Sequence, residues 1–219
     1  MMNLFSIFDP SINMYISMNW LMMLLPMMFL ISSFWLYTSR WNMLIQMMLM
    51  YLNTELSVIL KKKIYKMNFM SIFIMITLIN FISLNSYVFT GSSHMSMNLA
   101  LSLPMWLNFM LMGWIFNYKH MLAHQVPNGT PPILMPFMVI IEMISNIIRP
   151  GTLSVRLTAN MIAGHLILTL ISMNGNKMMI ITSISLIIPL ILLSLLEMAV
   201  AIIQSYVFMM LLSLYSQEI

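Results

Sequence analysis

The chain has 219 residues, of which 61% are hydrophobic and only 6% are charged, and its formal net charge is +4. A soluble domain carries roughly a quarter charged residues, so this composition excludes a water-soluble globule and predicts a polytopic membrane protein. The cations form no basic stripe interleaved with aromatic residues, which excludes nucleic acid as a partner.

The first two predicted elements are a membrane span and a surface helix. The apolar run 20–36 is just long enough to cross a bilayer, with Pro26 as a predicted kink, so the first transmembrane helix is placed at 18–37. Residues 42–66 mix polar and apolar side chains and end in KKKIYK, which predicts a helix along the membrane surface followed by a basic cluster. These lysines indicate the side from which insertion occurs; the alternative is a specific lipid or partner site.

Residues 68–118 are predicted to hold two membrane helices. They are separated by the loop sequence GSSH, which begins at Gly91. The polar segment KHMLAHQVPNGTPP follows, and its prolines and glycine end any helix that reaches them.

The last two apolar runs, 133–173 and 177–216, are too long for a simple membrane crossing. A continuous helix of either length measures roughly 60 Å, whereas the hydrocarbon core of a bilayer is about 30 Å thick. Each run is therefore either two short crossings or one steeply tilted helix. Pro150 and Gly151 offer a break in the first run, for which both alternatives stay open. The second run has no glycine after Pro189, which favours a tilted helix.

Together these segments predict an all-α polytopic membrane protein with a single domain over 1–219. The predicted architecture comprises transmembrane helices, one amphipathic surface helix, and two long tilted helices that form a hairpin. The hairpin carries most of the ionisable residues that lie within apolar sequence, so we expect it to carry the function.

Ionisable residues inside these runs are expensive, because a central arginine or aspartate costs about 2.5–3.5 kcal/mol on insertion scales. In chain order they are Glu142, Arg149, Arg156, His165, Glu197 and, at the end, Glu218. Glu142, Arg149 and Arg156 are seven residues apart, so they drift only about 20° per step around a helix. On the second run Gln204 lies seven residues after Glu197.

Arg156 has no acidic residue within one helical turn, since its neighbours are TLSV and LTAN. A guanidinium does not lose its proton in proteins, so the counter-charge must come from another helix or another subunit. A partner that supplies a carboxylate is therefore predicted. Asn160, four residues later, lies on the same helix face. For Glu142 and Arg149 the alternative is a distant or water-bridged ion pair with a structural role.

Four of these groups, Glu142, His165, Glu197 and Glu218, can gain and lose protons. A series of such groups along tilted helices is what a proton path needs. A fixed positive charge in the middle of the series would block direct passage. The residues therefore predict two half-paths that Arg156 separates.

The other residues that carry chemistry predict neither a metal nor a cofactor. His120 and His124 are spaced i, i+4 as in a zinc-binding helix, but the expected glutamate and a third ligand are lacking. The chain has no cysteine, which excludes disulfides and thiolate metal sites. Because no catalytic triad, phosphate-binding loop or nucleotide motif is present either, no bond chemistry is predicted for this chain by itself.

The stretch SVRLTANMIAGHLI resembles the signature of subunit a, also called subunit 6, of mitochondrial F-type ATP synthase. Supporting stretches are FDPS, SMNLALSLPMW, LAHQVPNGTP, VIIEMISNIIRP and LLEMAVAIIQSYVF, which occur in the family's order over nearly the whole chain. The resemblance implies a proton-translocating stator subunit of the Fo sector, with two long tilted helices against a rotor ring.

The resemblance also implies roles for individual residues. Arg156 matches the arginine that faces the carboxylate of each passing subunit c of the rotor ring, and Asn160 lies one turn away at that interface. Gln204 is implied to lie near the level of the arginine. The family pattern assigns Arg149 no role. Other stator and peripheral-stalk subunits and membrane lipid are the remaining implied partners.

The titratable residues divide between the two implied half-channels. His165 and Glu197 match residues of the half-channel that opens to the intermembrane space. Glu142 matches an acidic residue of the matrix-side half-channel, and Glu218 matches a terminal acidic position of some relatives more loosely.

Three other interpretations of the composition compete with this one. A self-contained ion channel would leave Arg156 without a counter-charge, a cytochrome would need haem-ligating histidine pairs, and a structural anchor would not retain buried ionisable groups. The 31 methionines are typical of genomes in which ATA encodes methionine, as in animal mitochondria. With no cleavable leader or arginine-rich presequence recognised, we expect a multi-pass protein of the mitochondrial inner membrane.

Overall fold

The computed structural model describes residues 5, 8–11, 17–29, 39–60, 63–85, 88–126, 131, 133–175 and 180–218. Within these ranges every regular element is helical, as predicted for an all-α protein. The α-helices are α1 (Leu25–Phe29), α2 (Arg40–Ile59), α3 (Lys63–Ser83), α4 (Met95–Phe116), α5 (Tyr118–His124), α6 (Met135–Gly175) and α7 (Ile180–Glu218), with short 3-10 helices at Met18–Leu24 and Gly91–Ser93.

Four of the described helices are long and apolar enough to cross a membrane. The spans are Tyr65–Ser83, Met95–Phe116, Met135–Met173 and Ser185–Gln217. Large apolar side chains on them face outward, as at Ile188, which is 72% exposed. Such surfaces are stable only in lipid or against other apolar chains, which confirms the prediction of a polytopic membrane protein.

The segment predicted as the first transmembrane helix begins with 3-10 geometry over Met18–Leu24 and continues as α1. Pro26 explains the change, because it has no N–H to donate to the carbonyl four residues earlier. The N–H of Leu25 instead donates to the carbonyl of Met22, three residues earlier. Residues 30–37 of the predicted helix lie outside the described residues.

Helix α2 occupies most of the predicted surface segment. Ser39 caps its N-terminus, accepting a hydrogen bond from the Asn42 N–H at 3.4 Å. Leu60 is extended and ends the helix. The basic cluster was predicted to close this surface segment, but Lys63 already begins α3, which carries Lys66 as well; the first two lysines of the cluster lie outside the described residues.

The two long runs are each one continuous helix. Helix α6 has 41 residues and passes through Pro150, and α7 has 39 residues and passes through Pro189. The alternative of two short crossings in the first run is therefore wrong. The physical reason is that each proline removes only one backbone hydrogen bond, a loss that long membrane helices tolerate. Helices of roughly 60 Å fit a core of about 30 Å only when strongly inclined.

Helices α3, α6 and α7 pack around a shared core, with α2 and α4 at its sides. The core residues that are almost fully buried are Leu56, Leu60, Phe69, Ile76, Leu153, Leu157, Phe208, Met209 and Leu212. Ser154 and Ser205 are also fully buried, and each hydroxyl donates to a carbonyl of its own helix, at 2.8 and 2.7 Å respectively. Small self-satisfied residues of this kind let membrane helices approach closely.

Candidate functional site

Two contacts set the register between α6 and α7. At one end, a Cβ atom built on Gly164 would lie 2.9 Å from both Cδ and Oε1 of Glu197. At the other end, the guanidinium carbon of Arg149 lies 5.0 Å from the ring centroid of Tyr215. The helices therefore run antiparallel, and residues 205–208 of α7 lie level with Arg156.

Glu197 and His165 are two buried titratable residues at the first of these contacts, Glu197 against Gly164 and His165 next to it in the chain. Glu197 is 9% exposed and His165 is 4% exposed, and the glycine preceding His165 lets the carboxyl reach the backbone of α6. Oε1 of Glu197 and Nε2 of His165 have no hydrogen-bond partner within the described part of the chain. Buried polar atoms normally have hydrogen-bond partners. These two atoms are therefore free to form hydrogen bonds with a transient partner.

The His165 ring is held from two further directions. It meets the ring of Phe8 edge-on, with centroids 6.4 Å apart and an interplanar angle of 87°. It also lies near the backbone of Ser83 on α3, whose hydroxyl contacts Met161 Sδ, one turn earlier on α6, at 4.0 Å. The position of His165 thus depends on α3 as well as on α6.

A polar interior that the sequence analysis missed extends from Ser83 between α3 and α4. Asn80 is 1% exposed, and neither its amide nitrogen nor its amide oxygen has a partner among the described residues. The Asn98 amide donates to the carbonyl of Ser92 at 2.8 Å, and these residues with Asn80 line a small pocket. The available signal was the i, i+4 spacing of Asn98 and Ser102 on one face of an apolar helix.

Arg156 lies on the exposed face of α6, while Leu157 beside it is buried in the core. Asn160 is half-buried on the following turn. In the part of the chain that the structure describes, no acidic side chain lies within ion-pair distance of Arg156. The carboxylate partner therefore stays a prediction, and the exposed face is where another subunit would supply it. Gln204 is half-buried close to the same level on α7.

Glu142 and Arg149 form a direct ion pair, with Nη2 of the arginine 3.7 Å from Oε1 of the glutamate. Their side chains are 31% and 29% exposed, so the pair is partly sheltered. Both arginines of α6 thus lie at accessible positions, but only Arg149 has a carboxylate of this chain beside it among the described residues. Glu218 ends α7, and its side chain lies outside the described part.

The described residues include no group of three or more potential ligands that could hold a metal ion. His120 and His124 both lie on α5, which ends at His124. The side chain of His124 lies outside the described part. The ionisable groups of interest are those of α6 and α7. Chemically, they provide a fixed positive charge on an outer face, a buried carboxyl group and a buried imidazole at neighbouring positions, and a partly sheltered ion pair.

Ionisable groups at such positions within membrane-spanning helices are characteristic of proteins that move ions or protons across membranes. The all-helical fold and these groups together define the chain as a polytopic membrane protein of that class.

Comparison with known proteins specifies the family. The family model of the ATP synthase A chain matches residues 14–217. ATP synthase subunit a of Drosophila melanogaster is 51% identical over 222 residues, which cover 100% of this chain and 99% of the fly protein. The subunits a of Locusta migratoria and Aedes aegypti are 50% and 49% identical, again with 100% and 99% coverage. The chain belongs to the ATP synthase subunit a family, which supplies the proton-translocating stator subunit of the Fo sector.

Proposed function

We propose that this subunit provides two offset proton half-paths that Arg156 separates, so that protons cross only by way of the rotor ring. The observation that carries the proposal is the division of charge on α6. Arg156 lies on the exposed face, and the buried His165, which follows the glycine that Glu197 of α7 contacts, lies about 13 Å further along the helix. A guanidinium stays charged at any physiological pH, so it repels a proton that moves directly between the two paths.

The uptake path is proposed to use Glu197 and His165, opening to the intermembrane space. Their unpartnered Oε1 and Nε2 atoms are available to pass a proton toward the level of Gln204. The buried polar side chains of Asn80 and Ser83 extend this path toward α4. The Asn80 amide has no partner among the described residues, and a buried polar group without a hydrogen bond is costly, which supports a role for it in binding a transient partner such as a translocated proton's carrier.

The release path is proposed to use Glu142, which lies toward the other end of α6, and to open to the matrix; Glu218 is assigned to the same side. Between the two paths, Arg156 attracts the ionised carboxylate of a subunit c and Asn160 lies at the same interface. A proton taken up neutralises that carboxylate, which then faces lipid at low cost while the ring turns. Each charge that crosses gains about 2.3 kcal/mol per 100 mV of membrane potential.

The remaining parts of the proposal concern the assembly. The chain forms one membrane domain over 1–219 and performs no bond chemistry, because ATP forms elsewhere in the complex. It is held in the mitochondrial inner membrane against the ring of subunit c, other Fo stator subunits, the peripheral stalk and lipid. Four apolar helices and full-length similarity to insect subunits a support this placement.

The test compares ATP-driven proton pumping and passive proton leak in reconstituted complexes that carry wild-type chain, Arg156→Ala or Arg156→Lys. Assembly is quantified on native gels. We expect Arg156→Ala to abolish coupled pumping in an assembled complex. The passive proton leak should be smaller in Arg156→Lys than in Arg156→Ala, because lysine keeps a positive charge. Normal coupled pumping by Arg156→Ala would contradict the separating role.

A further inference from the structure

Arg149 is the arginine that neither the sequence pattern nor the proposed half-paths explain, and two of its contacts indicate a role. Its Nη2 atom lies 3.7 Å from Oε1 of Glu142, one heptad earlier on the same helix. Its guanidinium carbon lies 5.0 Å from the centroid of the Tyr215 ring on α7. One planar cation thus contacts a carboxylate on one side and an aromatic face on the other, an arrangement that a lysine ammonium reproduces poorly.

Tyr215 is a fixed support for this cation. It is half-buried and packs against the core that contains Leu212, which is fully buried on the previous turn of α7. Because α7 is anchored there, the ring position is set by the packing of the helix bundle rather than by a free rotamer. Arg149 therefore transmits the position of α7 to whatever it binds on α6.

What it binds is Glu142, whose carboxylate has no other ion pair or hydrogen bond within the described residues. Glu142 lies roughly 10 Å before Arg149 along the helix axis, so the two side chains must both extend to meet. A partly exposed glutamate without that partner would sample several rotamers. The contact with Arg149 selects one of them.

The alternative role for Arg149 is a second barrier charge beside Arg156. Its pairing with Glu142 argues against this, because the pair is neutral as a unit and its field decays more steeply than that of a single charge. Arg156, in contrast, has no acidic partner within the described part of this chain. The two arginines of α6 are therefore not equivalent.

We propose that Arg149 is a positioning residue for proton release, which holds the Glu142 carboxylate at a fixed place while Tyr215 holds Arg149. This inference rests on the proposed release role of Glu142. It predicts that the effect of losing Arg149 depends on Glu142 being present, and that the aromatic ring rather than the hydroxyl of Tyr215 matters.

The experiment measures ATP-driven pumping per assembled complex in membrane vesicles for Arg149→Gln, Arg149→Lys, Glu142→Gln and the double variant Arg149→Gln/Glu142→Gln. We expect Arg149→Gln to lower the rate about three- to tenfold and Arg149→Lys to lower it less. The double variant should be no slower than Glu142→Gln alone. Rates that multiply in the double variant would overturn the inference, because Arg149 would then act independently of Glu142.

Tyr215→Leu and Tyr215→Phe supply a second arm that survives if Arg149→Gln fails to assemble. Tyr215→Phe keeps the ring face and should restore at least half of the rate that Tyr215→Leu loses. Tyr51→Leu, at a 75% exposed tyrosine of α2, is the matched control. Equal losses in Tyr215→Phe and Tyr215→Leu would also overturn the inference. If Glu142→Gln itself pumps normally, the proposed release path fails instead, whatever the Arg149 variants do.

Discussion

Replacing Gly164 by alanine is the most direct structural perturbation of the uptake path. The added Cβ would lie 2.9 Å from Cδ and Oε1 of Glu197 and 3.1 Å from its Cγ. Carbon atoms in ordinary contact are about 3.5–4.0 Å apart, so the carboxyl group must retreat by roughly 0.5–1 Å. Glu197 has little room, because it is 9% exposed and Ala201, one turn later, is fully buried.

The expected magnitude follows from that displacement. Misplacing a reacting group by about 1 Å can lower a rate as much as 100-fold, so we expect Gly164→Ala to slow proton transport about ten- to 100-fold. This corresponds to a barrier higher by about 1.4–2.7 kcal/mol. The helix itself should not suffer, since alanine is favoured over glycine in a helix interior by about 0.5–1 kcal/mol.

The assay is ATP-driven proton pumping by reconstituted complexes, normalised to assembled enzyme. Gly151→Ala is the matched control, because it is the same substitution on the same helix and, apart from the adjoining helix backbone, no atom of the described residues lies within 4 Å of its added Cβ. We expect the control to pump at the wild-type rate. Wild-type pumping by Gly164→Ala would refute the role of the Glu197 contact, and equal losses in both variants would attribute the effect to the helix.

Three further variants test the surroundings of the site. Asn80→Leu should lower pumping several-fold yet leave stability unchanged or raise it, because an unpartnered buried amide costs about 1–3 kcal/mol. Stability is measured by thermal unfolding. The control is Asn68→Leu, at an exposed asparagine of the same helix. Ser205→Leu should push α7 away from the helices packed against it and cost about 1–3 kcal/mol through overpacking, which a native gel would detect as lost assembly, whereas Ser205→Ala should assemble. Tyr206→Phe removes a 3.0 Å hydrogen bond to Glu55 at an exposed position, so pumping should not change and the midpoint of unfolding should move by no more than a few degrees.

The sequence by itself determined the class of protein and the candidate residues. Too few charges to cover a globule require lipid as the solvent, and long apolar runs require helices within it. The cost of burying charge in such runs singles out residues such as Arg156 and Glu197 by type alone. The heptad spacing of Glu142 and Arg149 also indicated that the two share a helix face, because that relation is local to one helix.

Only the tertiary structure decided what lies between helices. Whether Pro150 breaks α6 depends on neighbours that support the helix on both sides, and the sequence left that question undecided. The contacts of Gly164 with Glu197 and of Arg149 with Tyr215 follow from the antiparallel register of α6 and α7. A sequence specifies the faces of each helix through its period, but the face that meets another helix, and at what height, is set by the packing of all the helices at once.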